Sequence, residues 1–115
     1  TIALEILKEL PDVDIILVPV GGGGLISGIA CAAKLIKPTV KIIGVEPEGA
    51  ASALAAINED RVVSLNEAVT IADGTAVKTI GKTPFEYIKE YVDGIITVSD
   101  YELMAAFLVL FHLLH

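Results

Sequence analysis

The stretch VPVGGGGLISGIA, residues 18–30, decides how the chain reads. Before the glycines, residues 14–20 are almost wholly apolar and rich in Ile and Val, the composition of a strand covered on both faces. After them, apolar residues at 25, 26, 29, 30, 33 and 36 recur at helical spacing, and Lys37-Pro38 closes the helix. A second strand follows over residues 40–45. Strand, glycine loop, helix and strand in so short a span form a βαβ unit, with parallel strands and a right-handed crossover.

Working outward, Ile2, Ala3, Ile6, Leu7 and Leu10 share one helical face opposite Glu5, Lys8 and Glu9, and Pro11 ends that helix. Residues 50–57 are alanine-rich and read as a helix that exits at Asn58-Glu59-Asp60, whereas residues 62–82 are the least regular part. Thr83-Pro84-Phe85-Glu86 reads as a capping box with proline at the first helical position, opening a helix that buries Phe85, Ile88 and Val92. Asp93-Gly94 turns the chain into a strand over residues 95–98. Ser99-Asp100-Tyr101-Glu102 repeats the capping box for a last helix running from Asp100 to the end. The expected fold is α/β, a three-layer sandwich around a mainly parallel sheet.

Four consecutive glycines lose much backbone entropy on ordering, more than a bare turn requires. Such a run lets backbone N–H groups and a helix N-terminus converge on an anion, most often a phosphate. The alternative is a plain connection in a tightly packed unit. The dinucleotide fingerprint G-x-G-x-x-G is not met, because its sixth position falls on Ile26 or Ser27, although Glu46 stands where its ribose-binding acid would. No Gly-Lys-Ser or Gly-Lys-Thr follows, which excludes a P-loop. A phosphomonoester ligand fits the run best.

Composition narrows the function classes. The 115 residues are 54% apolar before the ten glycines are counted, against about 45–50% with glycine included for ordinary domains. That excludes disorder and implies strands buried on both faces or a surface made for a partner. A net charge of −7 argues against nucleic acid and anionic membrane as partners. Residues 15–33 are free of charge, yet Pro19 and the glycines break them into strand, loop and helix, so no membrane span is expected. The single Cys31 cannot form an internal disulfide and reads as a small core residue, so a reducing, cytoplasmic location is expected. The chain begins at Thr1 and ends inside an apolar helical pattern at His115, and reads as one domain, 1–115, truncated at both ends.

The segments VPVGGGGLISGIA (18–30), IIGVEPEGAAS (42–52) and TIADGTAVKTIGKTPFEYIKEYVDGIITVSDYEL (70–103) closely resemble the catalytic domain of threonine dehydratases, also called threonine ammonia-lyases. These are pyridoxal-phosphate enzymes of the tryptophan synthase β-like fold, with serine racemase as a near relative. The resemblance implies that this chain is part of their large, cofactor-binding domain. It implies that pyridoxal 5′-phosphate is the cofactor, its phosphate held by backbone N–H groups of Gly21, Gly22, Gly23, Gly24 and Leu25, with Gly74 near the ring and substrate. It further implies a possible divalent or monovalent cation at Glu46 and the Ala50 carbonyl; Ser52, where the racemase pattern has an acid, argues against it, and Glu46 reads better as a hydrogen-bonding residue at a strand end. The implied reaction converts L-threonine to 2-oxobutanoate and ammonia, with a small amino acid as substrate and a homo-oligomer as parent, in isoleucine biosynthesis or in serine and threonine deamination.

Pyridoxal chemistry requires a lysine that forms a Schiff base with the cofactor. All seven lysines, Lys8, Lys34, Lys37, Lys41, Lys78, Lys82 and Lys89, read as surface residues, and the family's lysine belongs to a segment upstream of anything present. No catalytic residue is therefore assigned, and the chain alone is expected to be inactive. Asp73 reads equally well as a turn-former, and Ser27 as a helix-packing residue or a phosphate ligand. His112 and His115 have metal-compatible spacing but no companion ligand, and read as packing residues or chain ends. A racemase-like enzyme, a non-catalytic anion-binding or interaction module and, least favoured, a dinucleotide binder are the alternatives.

Overall fold

A computed structural model describes residues 2–114. The elements in order are α1 (Ile2–Glu9), β1 (Ile15–Pro19), α2 (Gly24–Ile36), β2 (Lys41–Pro47), α3 (Ser52–Glu59), α4 (Lys82–Tyr91), β3 (Gly94–Val98) and α5 (Asp100–Leu114). Single 3-10 turns occupy Glu48–Ala50 and Asp73–Thr75. The three strands form one parallel sheet in the order β1-β2-β3, with Leu17 beside Ile43 and Val45 beside Ile96. The expected α/β architecture and its parallel βαβ unit are present.

Alternation along the strands sends Ile16, Val18 and Ile42 to one face, where they are buried with Ile26, Ile29 and Ala33 of α2. Helix α2 packs against α1, α4 and β1, so one face of the sheet has its helical layer. Ile15, Leu17 and Ile96 point to the opposite face and are about half exposed or more. The expected cover on both faces of β1 is thus not supplied by the described residues. Helix α5 is apolar nearly all round, and Phe107, Leu110 and Phe111 are each more than half exposed. The apolar excess of the sequence therefore lies largely on these two surfaces. No helix among the described residues is long and apolar enough to cross a membrane.

Two junctions show what fixes the layers. The Lys37 ammonium donates to the carbonyls of Pro11 and Val13, at 2.9 and 2.7 Å, and ties the end of α2 to the entry of β1. Asp93, in the turn before β3, accepts from the Ile42 N–H at 2.8 Å and pairs with Lys34 at 2.7 Å. Burial works to raise the Asp93 carboxyl, but the Lys34 ammonium, the Ile42 N–H and the more distant Lys41 together hold it below the ordinary aspartate value.

The two capping boxes fare differently. At α5 the Ser99 hydroxyl accepts from the Glu102 N–H at 3.0 Å while Glu102 accepts from the Ser99 N–H at 2.9 Å, as the sequence requires. At α4 the box does not form: the helix begins at Lys82, Thr83 and Pro84 lie inside its first turn, and no side chain caps it. The cause is tertiary, since the Gly81 N–H donates to the Gly22 carbonyl at 3.1 Å and its carbonyl receives the Phe85 N–H at 3.0 Å. Anchoring Gly81 on the glycine loop starts the helix earlier than the sequence signal. Phe85 and Ile88 are buried as expected; Val92 follows the helix and packs against the core from a half-buried position.

Candidate phosphate-binding site

The glycine loop leaves β1 after Pro19 and enters α2 through Gly23, whose φ of 95° lies in the left-handed region that only glycine adopts without strain. A Cβ at Gly23 would stand 2.9 Å from the Pro84 Cβ and 3.1 Å from Ile80. A Cβ at Gly21 would stand 2.8 Å from the Gly74 carbonyl oxygen. Gly22 and Gly24, by contrast, face open space. Two glycines are thus demanded by packing, and the other two leave the backbone bare.

Together with Pro19, Leu25, Gly74 and Thr75, residues 21–24 line a cleft of about 380 Å³. The N–H groups of Gly22, Gly23, Gly24 and Leu25 have no backbone acceptor among the described residues; the first bond of the α2 ladder runs from the Ser27 N–H to the Gly23 carbonyl at 3.1 Å. No carboxylate lines the cleft. Open N–H groups, a helix N-terminus and no competing negative charge suit a phosphate.

The other wall is the 3-10 turn Asp73–Thr75. The Thr75 N–H and hydroxyl both donate to the Ala72 carbonyl, at 3.0 and 2.9 Å, which fixes the turn and sets Gly74 against Gly21. Sequence reasoning singled out Gly74 but missed Thr75 and the supporting Ile80, Gly81 and Pro84, which lie in the irregular stretch or just after it, where no periodic signal exists. Ser27 is buried, and its hydroxyl donates to the Gly23 carbonyl and lies near the Pro84 carbonyl, so it braces the loop from behind.

Glu46 is fully buried at the end of β2. Its Oε2 accepts from the Ala53 N–H at 2.8 Å and its Oε1 from the Leu54 N–H at 2.9 Å, so it caps α3, whose own N-cap position, Ala51, has no side chain to do so. Burial raises the Glu46 carboxyl above the ordinary glutamate value, and the two N–H groups oppose that rise. Ala50 is buried in the adjoining 3-10 turn. No group of three or more metal-ligating side chains occurs among the described residues. His115 lies outside the described residues, and Cys31 is half-buried beside α4 rather than deep in the core.

None of the seven lysines lines the cleft. Lys34 pairs with Asp93 and Lys89 with Asp60, each pair on the side away from the glycines.

Over residues 1–113 the chain matches the family described as pyridoxal-phosphate dependent enzyme. It is 46% identical to an L-threonine ammonia-lyase of Thermotoga maritima over 110 residues, which is 96% of this chain and 27% of that protein. Among solved structures it is similar to a bacterial threonine deaminase, labelled T.th., with a TM-score of 0.92 and 38% identity, covering 96% of this chain and 41% of that one. It is also similar to maize serine racemase, with a TM-score of 0.88 and 37% identity over 91% of this chain and 32% of that one. The chain spans less than half the length of each.

Proposed function

The chain belongs to the pyridoxal-phosphate dependent enzymes, and on that premise we propose that residues 21–25 and Gly74 hold the cofactor in a protein that deaminates threonine or serine. The observation that carries this reading is the set of four N–H groups, on Gly22, Gly23, Gly24 and Leu25, left without backbone acceptors around a cleft that no acidic side chain enters. The cradle fits a phosphate and little else: a side chain on Gly21 would strike the Gly74 carbonyl and close it.

When bound, the cofactor supplies a pyridine ring that withdraws electrons from the substrate's α-carbon. The residues of this chain then have separable tasks. Gly22, Gly23, Gly24 and Leu25 bind the phosphate through N–H groups; Gly21 and Gly74 set the cleft's width by backbone contact; Ser27 holds the Gly23 carbonyl so that the loop keeps its curve. The lysine that carries the cofactor has no candidate in the cleft, so this chain alone binds without turnover. Glu46 is proposed as a helix cap and not a cation ligand, because both of its oxygens are engaged. The net charge of −7 and the open apolar faces support reading the protein as a cytoplasmic homo-oligomer acting on a small amino acid.

Fluorescence titration of the purified chain with pyridoxal 5′-phosphate tests the site. Saturable binding that inorganic phosphate displaces supports it, and binding indifferent to phosphate sinks it. For the longer protein, ammonia and 2-oxobutanoate released from threonine support a deaminase. Racemisation of serine without ammonia would support the second reading, which rests on the likeness to serine racemase.

A further inference from the structure

The wall of the cleft that carries Gly74 is held from a distant point of the fold. Asp100, the first residue of α5, accepts the Thr70 hydroxyl on Oδ1 and the Ile71 N–H on Oδ2, the latter at 3.1 Å. The Thr70 oxygen in turn accepts the Ala72 N–H at 3.2 Å, and the Ala72 carbonyl takes both Thr75 donors. The Asp73 N–H closes the inner turn on the Ile71 carbonyl at 3.1 Å. An unbroken series of hydrogen bonds therefore runs from the end of β3 through Thr70 to the two residues, Gly74 and Thr75, that line the cleft opposite the glycine loop.

Resting on the phosphate-site reading above, we propose that Asp100 is a positioning residue for the cofactor phosphate, acting through Thr70 on the turn that carries Gly74. The physical case has three parts. Residues 62–72 have little secondary structure of their own, only a 3-10 turn follows, and an ordered loop needs fixed partners to offset its conformational entropy. Asp100 supplies two acceptor oxygens to one hydroxyl and one N–H, and charge-assisted bonds of this kind are about twice as strong as neutral ones. The contact between Gly21 and the Gly74 carbonyl is so close that a turn displaced by even a few tenths of an ångström would change the width of the cleft. Ser99 and Glu102 cap α5 between themselves, so capping does not account for where the Asp100 carboxylate goes.

Thr70→Val, Thr70→Ser, Asp100→Ala and Ser99→Ala separate positioning from mere support of α5. The readouts are the dissociation constant for pyridoxal 5′-phosphate, thermal stability, and amide hydrogen exchange at Thr75 and Ala76. Thr70→Val and Asp100→Ala are expected to weaken binding about tenfold, equivalent to about 1.4 kcal/mol, and to speed exchange at both amides. Thr70→Ser keeps the hydroxyl and is expected to bind as the parent does. Ser99→Ala removes half of the capping box and is expected to lower thermal stability with no change in binding. Parent-like binding by Thr70→Val, or equal weakening by Ser99→Ala, would overturn the positioning role. A parent chain that binds no pyridoxal 5′-phosphate would instead overturn the phosphate site itself, and the positioning role with it.

Discussion

The Gly74 carbonyl oxygen lies 2.8 Å from the point a Cβ on Gly21 would occupy, so two loops separated by more than fifty residues touch backbone to backbone at the floor of one cleft. Neither loop could carry a side chain there without moving the other. The geometry sorts the four glycines of the loop into two classes.

Gly21→Ala and Gly23→Ala should each lower thermal stability, the first through collision with the Gly74 carbonyl and the second through its left-handed backbone, worth about 1–2 kcal/mol, with Pro84 and Ile80 crowding it besides. Gly22→Ala and Gly24→Ala meet no neighbour within 4 Å and should leave stability unchanged or slightly raised. Thermal melts of the four variants check the pattern, and equal losses at all four positions would contradict it.

Glu46 makes stability depend on pH in a direction opposite to a surface carboxylate. Its folded value is raised by burial, so between the ordinary glutamate value of 4.5 and that raised value the folded chain holds the extra proton. Its contribution therefore falls as pH rises through that window. Glu46→Gln should remove this slope, while Glu46→Ala, which strips the cap from Ala53 and Leu54, should cost about 1–3 kcal/mol at any pH. Urea titrations at several pH values above 4.5 provide the measurement.

Asp93 behaves in the other sense. Its folded value is lowered, so the stability it contributes is complete above the ordinary aspartate value of 3.8 and is lost as pH falls through the folded value. Asp93→Asn should be less stable than the parent at neutral pH by about 1.5–3 kcal/mol, as expected for a hydrogen bond to a charged group. The difference should close in strong acid. A gap that persists unchanged at the lowest accessible pH would place the role of Asp93 in shape and not in charge.

Phe107 and Phe111 stack on each other along α5 with ring centroids 6.1 Å apart, and both are more than half exposed. Phe107→Glu should shift the stability of the isolated chain by no more than about 0.5 kcal/mol while reducing self-association, read by sedimentation or light scattering. A loss of several kcal/mol would mean that this face is packed within the chain itself.

The sequence by itself determined the alternation of elements, the parallel βαβ unit and the residues of the glycine loop. These are local matters: periodicity 2 or 3.6, breakers at Pro11 and Pro38, and a tetraglycine with no other economical explanation. Glu46 was legible as a hydrogen-bonding residue at a strand end, and Ser99 with Glu102 as a cap, because each uses partners within eight residues. The tertiary structure alone decided where α4 starts, since the bond from Gly81 to Gly22 outranks the Thr83 signal. It alone paired Gly74 with Gly21 and Thr70 with Asp100, contacts made by a stretch with no periodicity to read. The reason is physical: a hydrogen bond between loops thirty or more residues apart leaves no spacing rule in the chain, only donors and acceptors that the packed layers bring together.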